Sequence, residues 1–186
     1  MSNFTPKEKQ LLLNTAASAI KFGLEKHQVL QVKLEDYPEK LRDPGASFIT
    51  LEINKELRGC IGSLEAHQPL IQDIAQNAYM AAFCDPRFHP LTAEEYPNIT
   101  KHISVLSKPE PMSFTSEKDL LNQIRPGIDG LILSDQDYRG TFLPAVWESL
   151  ATPELFLHHL KLKAGLPKNY WSDTIKIERY TAEVIE

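Results

Sequence analysis

Apolar residues recur at helical spacing in three long segments of the chain. Residues 5–23 open with Thr-Pro-Lys-Glu, a capping box with proline at the first helical position, and Gly23 is expected to end the helix. Residues 69–83 open with proline and carry an apolar stripe. Residues 152–164 begin with a threonine N-cap and are followed by Gly165. The pattern predicts three helices, each with one face on a core.

β-branched and aromatic residues mark the strands. Residues 47–53 (SFITLEI) and 57–62 (LRGCIG) flank a polar turn, which predicts a β-hairpin. Residues 130–144 repeat this arrangement, and residues 99–107 and 174–185 are each expected to form one strand. Helices and hairpins are mixed without a regular strand-helix-strand rhythm, which favours an α+β fold.

Two shorter helices are expected between the strands. Thr92 and Glu95 have the spacing of a capping box, and residues 116–124 end at Arg-Pro-Gly. Two prolines exclude regular helix from residues 84–91, which contain the segment DPRF.

The two predicted hairpins share a local motif. Each has a large apolar residue, an arginine and a glycine on its return strand, namely Arg58-Gly59 and Arg139-Gly140. An ancient duplication would make the two arginines equivalent, whereas two unrelated hairpins could also look alike over a dozen residues. Different pairing registers would exclude the duplication.

Composition restricts the functional classes. The 186 residues, 42% of them hydrophobic, are expected to form a single domain over residues 1–186, with two lobes and no independent linker. The formal charge of -5 leaves no basic stripe, so no nucleic acid is expected as a partner. No apolar run approaches ~20 residues and no signal peptide is visible, which predicts a soluble, cytoplasmic protein without membrane contact.

The two cysteines, Cys60 and Cys84, are interpreted as reduced thiols. There is no Cys-x-x-Cys pair and no spaced His pair, so no metal site is expected, and no cofactor is predicted.

Six segments together resemble the AMMECR-one domain family, also known as AmmeMemoRadiSam system protein A. In chain order they are LRGCIGSL, NAYMAAFCDPRFHPLT, ISVLSKPEP, GIDGLIL, RGTFLPAVWE and FLHHLKLKAGL. The resemblance covers about residues 43–184. It implies an α+β domain of two unequal lobes with a cleft between them, and here each lobe is expected to have a β-hairpin carrying an Arg-Gly loop packed by helices. It also implies Memo-like and radical SAM proteins as possible partners, but it supplies no reaction, and the function stays uncharacterised.

Carried onto this chain, the resemblance marks three segments as candidate sites. Family members commonly have proline where this chain has His89, so His89 is not expected to be essential. The matching residues are Arg58, Gly59, Cys60 and Gly62 in LRGCIG, Asp85, Pro86, Arg87 and Phe88 in DPRF, and Arg139, Gly140, Pro144, Trp147 and Glu148 in RGTFLPAVWE.

The three arginines suggest an anion site. Guanidinium groups that converge would hold a carboxylate or phosphate through paired hydrogen bonds, which makes Arg58, Arg87 and Arg139 candidate ligand-binding residues together with Gly140. Asp85 and Glu148 are candidate catalytic carboxylates, or else counter-charges that fix loops through structural ion pairs.

The sequence leaves the role of Cys60 open. A nucleophilic thiolate needs a nearby cation or base; Arg58 could supply the charge, but no histidine matches a family signature. The alternative is a packed or site-lining thiol. Gly59 and Gly62 predict a close approach, either by another part of the chain or by a ligand.

Two functional hypotheses follow. In the first, a cleft lined by LRGCIG, DPRF and RGTFLP binds or modifies a small anionic metabolite, whether or not the protein is an enzyme. In the second, the protein is a non-enzymatic adaptor for the Memo-like or radical SAM proteins. Convergent polar residues in a pocket would favour the first, and a flat exposed apolar patch the second.

Overall fold

A computed structural model describes residues 2–186 and shows a mixture of helices and antiparallel hairpins. The α+β class is therefore confirmed. The helices are α1 (Pro6–Lys26), α2 (Glu39–Arg42), α3 (Leu70–Phe83), α4 (Glu117–Gln123) and α5 (Pro153–Lys163). The strands are β1 (Pro44–Gly45), β2 (Ser47–Ile53), β3 (Glu56–Gly62), β4 (Gln68–Pro69), β5 (Ile99–Leu106), β6 (Glu110–Pro111), β7 (Gly130–Asp135), β8 (Tyr138–Phe142), β9 (Lys176–Tyr180) and β10 (Ala182–Ile185). Short 3-10 helices cover Leu34–Asp36, Tyr96–Asn98 and Pro144–Glu148.

The chain divides into two compact units of unequal size. The first unit runs to Leu106 and also includes Glu183–Glu186, and the second is Ser107–Ala182. Each unit has its own hydrophobic core. The single domain with a cleft between its lobes stays a prediction. Within residues 2–186, no helix is both long enough and apolar enough to cross a membrane.

The first unit is built on a sheet with the strand order β10-β5-β2-β3. Strand β2 pairs antiparallel with both β3 and β5, and helices α1 and α3 pack together and contact these strands. Ile49 and Leu51 on β2 are fully buried with Leu12 and Ile20 of α1 and Ile74 of α3. The alternation along β2 therefore places its apolar side chains under the two helices.

Helix α1 is longer than the sequence predicts. It continues through Gly23 to Lys26 and ends at His27, which has a left-handed backbone with φ of 55°. A Cβ on Gly23 would lie 2.9 Å from the Tyr79 ring and would overlap the Phe83 ring of α3. The prediction that Gly23 ends the helix is wrong, because this glycine allows α1 and α3 to approach closely.

The second unit has a sheet with the order β6-β9-β7-β8, covered by α4 and α5. Leu131 and Leu133 of β7 are buried with Phe156 and Leu160 of α5. Trp147 stacks on Phe156 with ring centroids 3.9 Å apart. Its indole donates a 2.7 Å hydrogen bond to the carbonyl of Asp129, so Trp147 belongs to this core.

Two further sequence predictions are corrected. Residues 174–185 do not form one strand, because β9 and β10 belong to different sheets. The break falls at Thr181, which exchanges 2.9 Å hydrogen bonds with Ser107. The short helix expected from Thr92 is replaced by a turn and the 3-10 helix Tyr96–Asn98, although the side-chain bonds of its capping box are present.

Candidate functional site: the LRGC strand and the DPRF turn

The hairpin of β2 and β3 contains one extra residue on its return strand. Ile53 and Glu56 close a two-residue turn. The register is then regular as far as the pair Glu52 and Leu57, and it resumes at Leu51 and Gly59. Arg58 is therefore a β-bulge residue, and a bulge turns the local backbone and re-aims the side chain it carries.

The glycines beside Arg58 allow close contacts within the protein itself. A Cβ on Gly59 would overlap the carbonyl oxygen of Ala81 in α3. A Cβ on Gly62 would overlap the ring of Phe48 and lie 2.5 Å from the carbonyl oxygen of Ser47. Of the two explanations that the sequence left open, close approach by another part of the chain accounts for both positions.

The guanidinium of Arg58 is hydrogen-bonded to Glu95, a residue that the sequence did not mark as functional. Its Nε donates to Oε1 of Glu95 at 2.8 Å, and its Nη2 donates to Oε2 of Glu95 and to the carbonyl oxygen of His89, both at 2.9 Å. Arg58 is only 7% exposed. It therefore joins β3 to the segment after DPRF. The contact uses only the main chain of His89, so the departure from proline at this position does not disturb it.

Glu95 is fixed on its other side by Thr92. The backbone N–H of Thr92 donates to Oε2 of Glu95 at 2.9 Å, and the Thr92 hydroxyl accepts from the Glu95 N–H at 3.3 Å. The hydrogen bonds from Arg58 lower the pKa of Glu95 from 4.5 to about 2, because they favour the ionised carboxylate. The capping-box spacing was the only sequence signal for Glu95, and it indicated a helix start rather than a partner for Arg58.

Asp85 is the centre of the DPRF turn. It is 4% exposed and accepts hydrogen bonds from the backbone N–H of Cys60 at 2.9 Å and from the backbone N–H of Arg87 at 3.1 Å. The Arg87 side chain donates to both carboxylate oxygens, from Nε at 3.0 Å and from Nη2 at 2.7 Å. These bonds, chiefly those of the Arg87 side chain, hold the pKa of Asp85 far below its ordinary value.

The pair formed by Asp85 and Arg87 also closes the outer edge of the sheet. Strand β3 is an edge strand, so the backbone groups of Cys60 that point away from β2 need partners. Asp85 accepts from the Cys60 N–H, and Nη2 of Arg87 donates to the Cys60 carbonyl oxygen at 3.3 Å. The two side chains thus replace a neighbouring strand at this one residue, which explains why LRGC and DPRF lie together.

Both arginines lie over the ring of Phe88. The guanidinium carbons of Arg58 and Arg87 are 5.7 Å and 5.5 Å from the ring centroid of Phe88. Both separations are within the range of cation–π attraction. Phe88 is therefore a shared contact of the two guanidinium groups.

The thiol of Cys60 lies near this group without a histidine. Its Sγ is 3.3 Å from Oγ1 of Thr50. Thr50 is paired on its other side with His102 of β5, but the His102 ring lies 3.4 Å from Glu52 and 3.2 Å from Glu186. Among residues 2–186, no histidine contacts Cys60, so the structure provides no imidazole base for a nucleophile there.

The remaining candidates belong to the second unit. Arg139 is exposed and pairs with Ser134 in a hairpin without a bulge. A Cβ on Gly140 would lie 2.9 Å from the backbone N of Ala164 at the end of α5. Glu148 is exposed at the end of a 3-10 helix. Arg58, Cys60, Asp85 and Arg87 are thus brought together within the first unit, while Arg139, Gly140 and Glu148 lie in the second.

The registers also test the proposed duplication. Gly59 is opposite Leu51 and Gly140 is opposite Leu133, so the glycines correspond. The arginines do not, because Arg58 lies in the bulge whereas Arg139 is regularly paired. The hairpins therefore differ in register at the residue for which equivalence was suggested, which excludes that equivalence.

Across residues 2–186, no group of three or more His, Cys, Asp or Glu side chains has a metal-binding arrangement. The chemistry that the LRGC strand and the DPRF turn can offer is therefore that of two oriented guanidinium groups, a thiol and an aromatic ring.

Known proteins share this fold and sequence pattern. The AMMECR1 family model matches residues 13–185. Protein MJ0810 of Methanocaldococcus jannaschii is 40% identical over 164 residues, which cover 84% of this chain and 80% of that protein. A protein of Thermofilum pendens is 35% identical over 99% of this chain and 92% of its own length. The crystal structure of the uncharacterized protein PH0010 from Pyrococcus horikoshii is similar, with a TM-score of 0.89 and 31% identity over 97% of this chain and 92% of that one. The chain therefore belongs to the AMMECR1 family.

Proposed function

We propose that the first unit binds a small carboxylate- or phosphate-bearing molecule at Arg87. The observation that supports this proposal is the orientation of the Asp85–Arg87 pair. Its carboxylate is buried and held by backbone and side-chain donors, whereas the side chain of Arg87 is 54% exposed. The negative end of the pair is therefore hidden from solvent, and the positive end is available to an anion.

The hydrogen-bonding capacity of Arg87 agrees with this proposal. A guanidinium has five N–H donors in a rigid fork. Nε and Nη2 of Arg87 bind Asp85 and the Cys60 carbonyl. Its Nη1 group makes no hydrogen bond to any residue that the structure describes, so two donors in a fixed orientation remain for oxygen atoms of a ligand. Because the fork is already held by Asp85, little side-chain entropy is lost on binding.

Neighbouring residues have supporting roles in this proposal. Arg58 is buried and already paired with Glu95, so it holds the turn in place rather than contacting the ligand. Phe88 restricts the position of both guanidinium groups through the cation–π contacts. Cys60 lines the site as a neighbouring thiol, and we propose binding without covalent chemistry. Gly59 and Gly62 are structural, and Arg139 and Gly140 stay predictions outside this proposal.

The test is calorimetric titration of the native protein, Arg87→Lys and Arg42→Ala with inorganic phosphate and with malonate. Arg42 is an exposed arginine of α2 in the same unit and serves as the matched control. We expect Arg87→Lys to weaken binding about tenfold or more, because lysine keeps the charge but loses the fork. Arg42→Ala should bind like the native protein.

The fold of each variant can be followed at the Cys60 amide. Its N–H donates to the Asp85 carboxylate, so its NMR resonance reports whether the turn is intact. Equal affinity in the native protein and a folded Arg87→Lys variant, or no binding of either anion to the native protein, would contradict the proposal. The adaptor hypothesis stays a prediction.

A further inference from the structure

The second unit contains a cavity of about 350 Å³ that is unrelated to the arginine site. It lies beside the segment between β6 and α4 and the segment before β9. The lining combines aromatic rings, a methionine, hydroxyl groups and one carboxylate. The lining residues are Met112, Ser113, Phe114, Thr115, Trp171, Ser172, Asp173 and Ile175.

Two aromatic side chains form a fixed part of the wall. The rings of Phe114 and Trp171 have centroids 5.6 Å apart and are tilted by 57°. The ammonium group of Lys161 lies 5.6 Å from the centroid of the Trp171 ring. Lys161 is fully buried and donates to Glu117 at 2.6 Å. A buried lysine is costly unless it is paired, and here the paired ammonium also fixes the orientation of Trp171.

The carboxylates around this cavity have no cationic partner among the residues that the structure describes. Asp173 lines the cavity, is exposed, and makes no hydrogen bond or ion pair with residues 2–186. Asp135 accepts only from the hydroxyls of Ser172, Thr174 and Tyr170. The Ser172 bond, with those of Thr174 and Tyr170, lowers the pKa of Asp135 and keeps this carboxylate ionised at neutral pH.

Asp119 adds a further negative charge near the lining residue Thr115. It accepts hydrogen bonds from the backbone N–H and the hydroxyl of Thr115 and from the amide of Gln123. The backbone bond from Thr115 and the amide bond from Gln123 lower the pKa of Asp119. The charge of Lys161 is balanced by Glu117, and Lys176 lines an adjoining depression together with Asp135 and Asp173. The carboxylates of Asp119, Asp135 and Asp173 therefore outweigh Lys176 and leave an excess of negative charge beside the cavity.

We propose that this cavity binds a small organic cation, a substituted ammonium compound, between the aromatic pair and Asp173. Aromatic faces attract ammonium groups, most strongly where the rings are fixed and partly desolvated. The unpaired carboxylate of Asp173 supplies the counter-charge, and Met112 contacts the apolar substituents. The ligand has the opposite charge to the one proposed at Arg87, and the two proposals are independent.

The test is an NMR titration with choline and with 3,3-dimethylbutan-1-ol, the neutral carbon analogue of choline. The chain has two tryptophans, so the indole N–H of Trp171 reports on the cavity, and that of Trp147, bonded in the core to Asp129, is the internal control. We expect choline to shift the Trp171 resonance, with no change at Trp147. The neutral analogue should bind about tenfold more weakly or worse.

Two substitutions locate the site. Asp173→Asn should weaken choline binding about fivefold or more, and the matched control Asp137→Asn, at an exposed hairpin turn of the same unit, should leave it unchanged. Phe114→Leu should weaken binding while the Trp147 resonance reports the folded core. The proposal is overturned if the neutral analogue binds as well as choline, if Asp173→Asn and Asp137→Asn behave alike, or if choline produces no shift at Trp171.

Discussion

Arg58-Gly59 and Arg139-Gly140 occupy the return strands of two similar hairpins, and the strands differ by one residue. In the first hairpin the extra residue is Arg58, which is 7% exposed and bound to Glu95 through two nitrogens. In the second hairpin Arg139 is exposed and regularly paired with Ser134. One inserted residue therefore accompanies the difference between a buried structural arginine and an exposed one.

The glycine of the first hairpin is also more closely packed than the glycine of the second. The space beside Gly59 is filled by the backbone carbonyl of Ala81, whereas Gly140 faces the backbone and the methyl group of Ala164 at about 3 Å. A helix lies closer to the strand in the first hairpin than in the second. The comparison shows that two identical dipeptides in similar hairpins can have different structural roles, because the roles depend on the segments that pack against them.

Replacing each glycine by alanine gives the largest expected losses of stability. Gly59→Ala should reduce the free energy of unfolding by about 3 kcal/mol or more, because the methyl group would overlap the α3 backbone, which cannot move independently of its helix. Gly140→Ala should cost about 1–2 kcal/mol, since a shift of a few tenths of an ångström relieves its contact. Urea unfolding of both variants measures the difference, and equal losses would contradict the comparison.

Removing the arginine contacts gives smaller expected losses. Glu95→Gln should cost about 2 kcal/mol, because it leaves the buried guanidinium of Arg58 without its counter-charge. Arg139→Met should cost no more than about 0.5 kcal/mol, as is usual for an exposed side chain. Urea unfolding of each variant checks these values. Arg58→Met, made alone and in combination with Glu95→Gln, completes a double-mutant cycle, and a coupling near zero would show that the pair does not stabilise the fold.

The pH dependence is the smallest of the three effects. Pairing with Arg58 gives Glu95 a folded-state pKa of about 2, below its ordinary value of 4.5. Its contribution is therefore fully present above about pH 4.5 and is lost as the pH falls towards 2. Unfolding measured at decreasing pH should show the native protein and Glu95→Gln converging in this window. Asp85 is present in both proteins, so the difference isolates Glu95, and parallel pH profiles would contradict the assignment.

Several elements follow directly from local sequence signals. The two hairpins, helix α3 and helix α5 with its threonine N-cap were predicted, because turn residues, caps and apolar periodicity act within a few positions of the chain. The family was also predicted, from six segments, and the match of the family model to residues 13–185 confirms the family. The end of α1 was not predicted correctly, because the role of Gly23 depends on the rings of Tyr79 and Phe83 in a helix that is distant in sequence.

The candidate site was predictable in its segments but not in its contacts. LRGC and DPRF were both marked, and the structure brings them together through Asp85 and the Cys60 amide. Glu95 was missed as the partner of Arg58, because an ion pair between residues 37 positions apart leaves no local pattern. The cavity beside Trp171 was also missed, since its lining comes from two segments separated along the chain.

The sequence by itself determined the two hairpins, helices α3 and α5, and the chemical groups that are available at LRGC and DPRF. Only the tertiary structure decided how those groups are used: which arginine is buried, how closely each glycine approaches a helix, and whether residues 174–185 serve one sheet or two. The physical reason is the separation along the chain over which each kind of interaction acts. Caps, turns and side-chain alternation depend on neighbouring residues, whereas ion pairs, edge-strand contacts and close backbone approaches depend on segments that meet only after the chain has folded.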